Sequence, residues 1–118
     1  MRYIELAFAL GIMGTVASGA ALGAECRLSA EQPQYNGAIS GLGSWSNCAT
    51  NAKVTVLLRE DVRFWTDKTL VSKSRTGSSG SLSLLRACGN RFDPIKVYVE
   101  VRAGNKKVQS PRAILPCK

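Results

Sequence analysis

The sequence predicts an all-β domain, a small antiparallel β-sandwich of six or seven strands stapled by two disulfides, on three observations. Apolar and polar residues alternate cleanly over residues 95–102, and a period of two recurs over 53–60. Clusters of turn-forming residues cut the chain into short segments of strand length. Four cysteines, Cys26, Cys48, Cys88 and Cys117, bracket nearly everything that follows an apolar leader. A small closed β-barrel is the alternative.

Residues 95–102 carry the clearest pattern, with Ile95, Val97, Val99 and Val101 alternating with Lys96, Tyr98, Glu100 and Arg102. A helix would scatter those β-branched residues around its circumference, whereas a strand gathers them on one buried face and leaves the other wet. Val54, Val56 and Leu58 share a face in the same way, opposite Lys53, Thr55, Leu57 and Arg59. Weaker strand signals cover 38–42, 69–74, 80–88 and 107–115, and Cys26 is expected to open a hairpin. Gly104-Asn105 supplies a hairpin turn, and 76–80 and 89–94 read as loops. Pro111 removes one ladder donor, so the last strand should be an edge or carry a bulge there. No amphipathic helical window follows residue 24.

Residues 1–24 read as a secretory signal peptide, with Arg2 near the start, an uncharged small-residue stretch from Leu6, and Ala20 and Ala24 as cleavage-compatible positions. Glycines, Thr15 and Ser18 make this stretch a poor membrane anchor. Glu25 stands where a lipoprotein signal needs a small residue. The expected mature domain, 25–118, is therefore extracellular, where an even number of cysteines points to disulfides. No C-x-x-C pair is present, and a metal site is not expected. Of the three possible pairings, Cys26–Cys48 with Cys88–Cys117 closes loops worth about 3.5 kcal/mol each, too close to the crossed alternatives to choose on entropy. The choice rests on topology: in a meander the strands 80–88 and 107–115 finish at the same end, and Cys26, at the start of an opening hairpin, comes near Cys48 at the entry to strand 53–59.

Sixteen Lys and Arg stand against eight Asp and Glu, with no histidine. Loss of Arg2 and Glu5 with the leader keeps the whole excess of eight positive charges. Without histidine there is no Ser-His or Cys-His nucleophile pair and no His-containing zinc set. Glu60, Asp61, Asp67, Asp93 and Glu100 are the acid-base candidates, and each is expected in an ordinary surface ion pair or, for Asp93, a turn. Enzymatic activity and a cofactor are accordingly not expected.

The order Cys26, Gly41-x-Gly43-Ser44-Trp45-x-x-Cys48, Val54-Thr55-Val56-x-Leu58, Ser72-Lys73-Ser74, Leu82-Ser83-Leu84, Cys88, Val97-Tyr98, Ser110 and Cys117 resembles small secreted two-disulfide immunoglobulin-like β-sandwich proteins of bacteria and fungi. The resemblance spans the mature chain and implies fold and export; it carries over no catalytic or binding residue.

Residues 59–68 set Phe64 and Trp65 among six charges. With so few aromatics available, both are expected to turn inward and cap the sandwich, the alternative being a loop that anchors an interface or stacks on a ring. The binding candidates are Arg63, Trp65 and Lys68 in this segment, Lys96, Tyr98 and Arg102 on one exposed strand face, and Lys106 and Lys107 in a hairpin turn. The reading is a secreted cationic binding protein, effector-like or antagonistic, whose extracellular partner is an anionic surface polymer or a foreign protein; nucleic acid is a weaker candidate. The alternatives are a small histidine-free hydrolase, a nuclease or glycosidase using Asp61 and Asp67, and an inhibitor of a foreign enzyme presenting 60–68 or 103–107 as a stiff loop.

Overall fold

The computed structural model describes residue 23, residues 25–88 and residues 93–116. The expected leader (Gly23 apart), the tip of the loop after Cys88, and Cys117 with the expected Cys88–Cys117 pairing lie outside the described residues.

Eight strands follow in order: β1 (Arg27–Tyr35), β2 (Ile39–Ser46), β3 (Lys53–Glu60), β4 (Lys68–Thr76), β5 (Gly80–Arg86), β6 (Ile95–Ala103), β7 (Lys106–Gln109) and β8 (Ala113–Leu115). They form two antiparallel sheets, β1-β2-β5 and β4-β3-β6-β7, with β8 also paired to β6. No helix is present among the described residues. Among the described residues the strands form two separate sheets, each with unpaired edges, rather than one closed barrel.

The alternation fixes the register. Val54, Val56 and Leu58 of β3 face the core with Val97, Val99 and Val101 of β6, all fully buried, each contributing about 2 kcal/mol of transfer energy. A slip of one residue would put Lys96, Tyr98, Glu100 and Arg102 in their place. β2 answers with glycines, because the sheets approach closely there. A Cβ on Gly41 would lie 2.8 Å from Val99 Cγ2, and one on Gly43 2.7 Å from Val101 Cγ2. Trp45 closes one end of the core, its indole Nε1 donating to Gly77 O at 3.1 Å. Beside it the buried Cys26–Cys48 disulfide ties the start of β1 to the chain leaving β2, as the sequential pairing requires.

Two strands depart from expectation. β1 gave no strand signal because its pairing with β2 shifts between Glu31 and Gln34, where Pro33 sits, and the shift breaks the alternation. The segment expected as one strand over 107–115 is two, β7 and β8, on the same edge of β6 with a gap at 110–112. Pro111 has no N–H to offer. Ser110 compensates: its N–H donates to Val99 O at 2.8 Å and its Oγ accepts from Val99 N at 2.9 Å.

Candidate functional site

The chain leaves β3 at Glu60 and returns at Lys68, and the loop between them is held at its base on every side. Asp61 N donates to Lys96 O at 2.8 Å, and Trp65 N to Val62 O at 3.2 Å. Asp67 is the centre of the clamp. Its Oδ1 accepts from Val62 N at 3.2 Å, its Oδ2 from the Tyr98 hydroxyl at 2.6 Å, and its carbonyl from Arg59 Nη2 at 3.0 Å.

At the tip Phe64 and Trp65 are 88% and 81% exposed. This corrects the expectation that they cap the core. The inner position of the loop is taken by the Asp67 carboxylate on Tyr98, and Phe64 reverses the chain in the left-handed region at φ 62°, so the rings project outward. The Arg63 guanidinium lies 4.8 Å from the centre of the Phe64 ring, a cation–π contact that keeps charge beside the exposed aromatics.

Beneath the loop, the outer face of the β3-β6 sheet is not the wet face that alternation predicts. Tyr98 and Glu100 are buried, at 1% and 0% exposure, because side chains from distant segments lie over them. Arg112, projecting from the gap between β7 and β8, stacks 3.8 Å from the centre of the Tyr98 ring and donates from Nε to Asp61 Oδ2 at 3.2 Å. Lys96 Nζ stands 3.8 Å from the same oxygen. Glu100 pairs with Arg102, accepts from Gln109 Nε2 at 2.7 Å, and lies 3.7 Å from Arg59 Nη1. Arg59 Nε is left buried with no hydrogen-bond partner.

Electrostatics follow from these contacts. Burial alone would raise the Glu100 carboxyl, but the hydrogen bonds from Arg102 and Gln109 and the charges of Arg102 and Arg59 hold it below the usual range. The Tyr98 hydrogen bond lowers Asp67 against the opposing effect of its own burial, helped by Val62 N. Tyr98 is pushed up to about 12, first by burial and then by its hydrogen bond to Asp67. Two carboxylates held ionised and a phenol that keeps its proton make a stiff support for the loop.

The eight binding candidates therefore separate. Arg63 and Trp65 are exposed in the loop, Lys68 opens β4 beside it, and Lys96 joins its base through Asp61. Tyr98, expected on an exposed face, is buried, and Arg102 pairs with Glu100. Lys106 and Lys107 lie at the other end of the sheet, about 20 Å away along β3 at the usual rise per residue. Glu100, expected in a surface pair, is instead a buried anion. Sequence reasoning missed Arg112 and the clamping role of Asp67; the one pointer to Arg112 is its place after Pro111, where an edge must break.

Among the described residues no cluster of three or more potential metal ligands gathers, and no helix is long and apolar enough to cross a membrane. No family model, curated protein or solved structure matches this chain.

Proposed function

We propose that this chain is an exported, cationic binding protein, effector-like or antagonistic, that meets its extracellular partner with the aromatic tip of the 61–67 loop. One observation carries the reading: two adjacent aromatics stand almost fully exposed on a loop whose base is fastened by hydrogen bonds and ion pairs. Exposing them costs the free protein solvation energy that a partner recovers on contact, and a pre-ordered loop loses little entropy on docking. The cations Arg63 and Lys68 beside the tip favour an acidic partner surface.

The fold part of the reading is an immunoglobulin-like sandwich. Its support is the strand order, with β1, β2 and β5 in one sheet as A, B and E, and β3, β6 and β7 in the other as C, F and G. The Cys26–Cys48 bridge is compatible with an oxidising compartment. Binding is preferred to hydrolysis because Asp61 is paired with Arg112 and Lys96, and Asp67 serves the loop.

The test is capture of isolated cell-surface polymers and surface proteins by the immobilised oxidised protein, wild type against Trp65→Ala. The reading expects at least a tenfold loss of capture with an unchanged melting temperature. Equal capture by both proteins, or a large loss of stability in the variant, overturns it. The stiffness of the loop also suits inhibition of a foreign enzyme, which a one-to-one complex that blocks turnover would reveal.

A further inference from the structure

At the end of the molecule away from the aromatic loop, edge strand β1 and edge strand β7 border an open groove of about 860 Å³. Arg27, Lys106 and Lys107 line it together with the hydroxyls of Ser29 and Ser44 and the Asn105 amide. Among the described residues no carboxylate contributes to its wall.

The pairing of these cations is unlike that of the cations over the outer face of the β3-β6 sheet. Arg59, Arg102, Arg112 and Lys96 each have a carboxylate within 4.0 Å. The side chains of Arg27 and Lys107, whose backbones pair in the ladders, have no ion pair or hydrogen bond among the described residues. Lys106 donates to the carbonyl of Cys26, which leaves two of its three donors and its whole charge uncompensated. Three positive charges thus share one concave surface, which Cys26 of the buried Cys26–Cys48 bridge also lines. Such a surface concentrates anions, and its walls keep their field from being fully screened.

The uncharged lining narrows the ligand. Trp45 reaches the groove but is 3% exposed, with its indole N–H committed to Gly77 O, so no open ring is offered for a nucleobase to stack on. The serines and the Asn105 amide, sharing the wall with the cations and with Leu28 and Val108, suit a chain that alternates anionic groups and hydroxyls with apolar ring faces. We propose that the β1–β7 groove binds an acidic polysaccharide, a glycan bearing carboxylate or sulfate groups. This site is separate from the aromatic loop and stands without it.

The test uses the oxidised protein with polygalacturonate, dextran sulfate, neutral dextran and a single-stranded oligonucleotide as probes. Arg27→Gln/Lys107→Gln removes two charges whose side chains make no internal ion pair or hydrogen bond among the described residues, so the fold is expected to be retained, and the melting temperature checks that it is. Binding of both acidic glycans is expected to fall about tenfold at moderate salt in this variant, with a shallower salt dependence, and to persist in Trp65→Ala. Glycan affinity equal in the double variant and wild type, equal binding of neutral dextran, or tighter binding of the oligonucleotide through Arg27 and Lys107 would each overturn the proposal. Loss of glycan binding only in Trp65→Ala would move the ligand to the loop and refute the groove.

Discussion

The Tyr98 hydroxyl donates to the Asp67 carboxylate over 2.6 Å, joining the middle strand of one sheet to the last residue of the loop that carries the exposed aromatics. The bond makes the loop an extension of the sheet. Tyr98→Phe keeps the ring beneath Arg112 and removes only the donor, so a loss of about 1–2 kcal/mol is expected in denaturant unfolding. Amide exchange at Val62, which also relies on Asp67, should accelerate while that of the core strands changes far less.

Protons act on the same contacts in opposite directions at the two ends of the pH scale. Asp67 and Glu100 have folded values below their unfolded ones. The unfolded chain therefore takes up protons first on acidification; the stability they contribute is present above the ordinary carboxylate range and is lost as pH falls through their depressed values. Tyr98 has a folded value raised to about 12, so its contribution is present below the ordinary tyrosine value and disappears as pH rises toward about 12. Melting temperature against pH should be flat near neutrality and fall on both sides. Tyr98→Phe should flatten the alkaline limb.

Glu100 holds two arginines over a buried position. Glu100→Gln leaves Arg59 without a counter-charge at a site where its Nε is already unsatisfied, and should cost about 3 kcal/mol. Removing both partners, as Glu100→Leu with Arg59→Met, should recover much of that loss, because no charge then stays stranded. Urea unfolding of the singles and the double separates the pair from its desolvation.

Phe64 sits at φ 62°, a conformation that costs a residue bearing a Cβ about 1 kcal/mol and a glycine almost nothing. Phe64→Gly should leave stability unchanged or slightly raised, once the lost Arg63 contact is set against the relieved backbone. Partner capture should nonetheless weaken. A variant at least as stable and poorer at binding would mark Phe64 as a residue kept for contact.

The strands that organise the core were legible because their signal is local. Residues 95–102 alternate without error and 53–60 with the one exception of Leu57, and both became central strands with the expected inward faces. The Cys26–Cys48 pair followed from where a hairpin returns the chain. What stayed hidden depends on contacts remote in sequence. Nothing near Tyr98 or Glu100 announces that Arg112 and Gln109 will cover them, and composition alone argued for putting Phe64 and Trp65 inside. The Asp67 clamp had a readable trace in an acidic residue closing a short loop, but it acquires meaning only beside Tyr98, 31 residues on.

The gap at Ser110–Arg112 has one more effect. The outermost strand of a sheet ordinarily presents a continuous ladder on which any extended chain can accrete, the first step toward fibres. Here a newcomer finds four residues of β7, then a proline and a turned-in serine, then three residues of β8. Neither stretch is long enough to seed a stable cross-chain ribbon, so the break that lets Arg112 reach Tyr98 also protects that flank from aggregation.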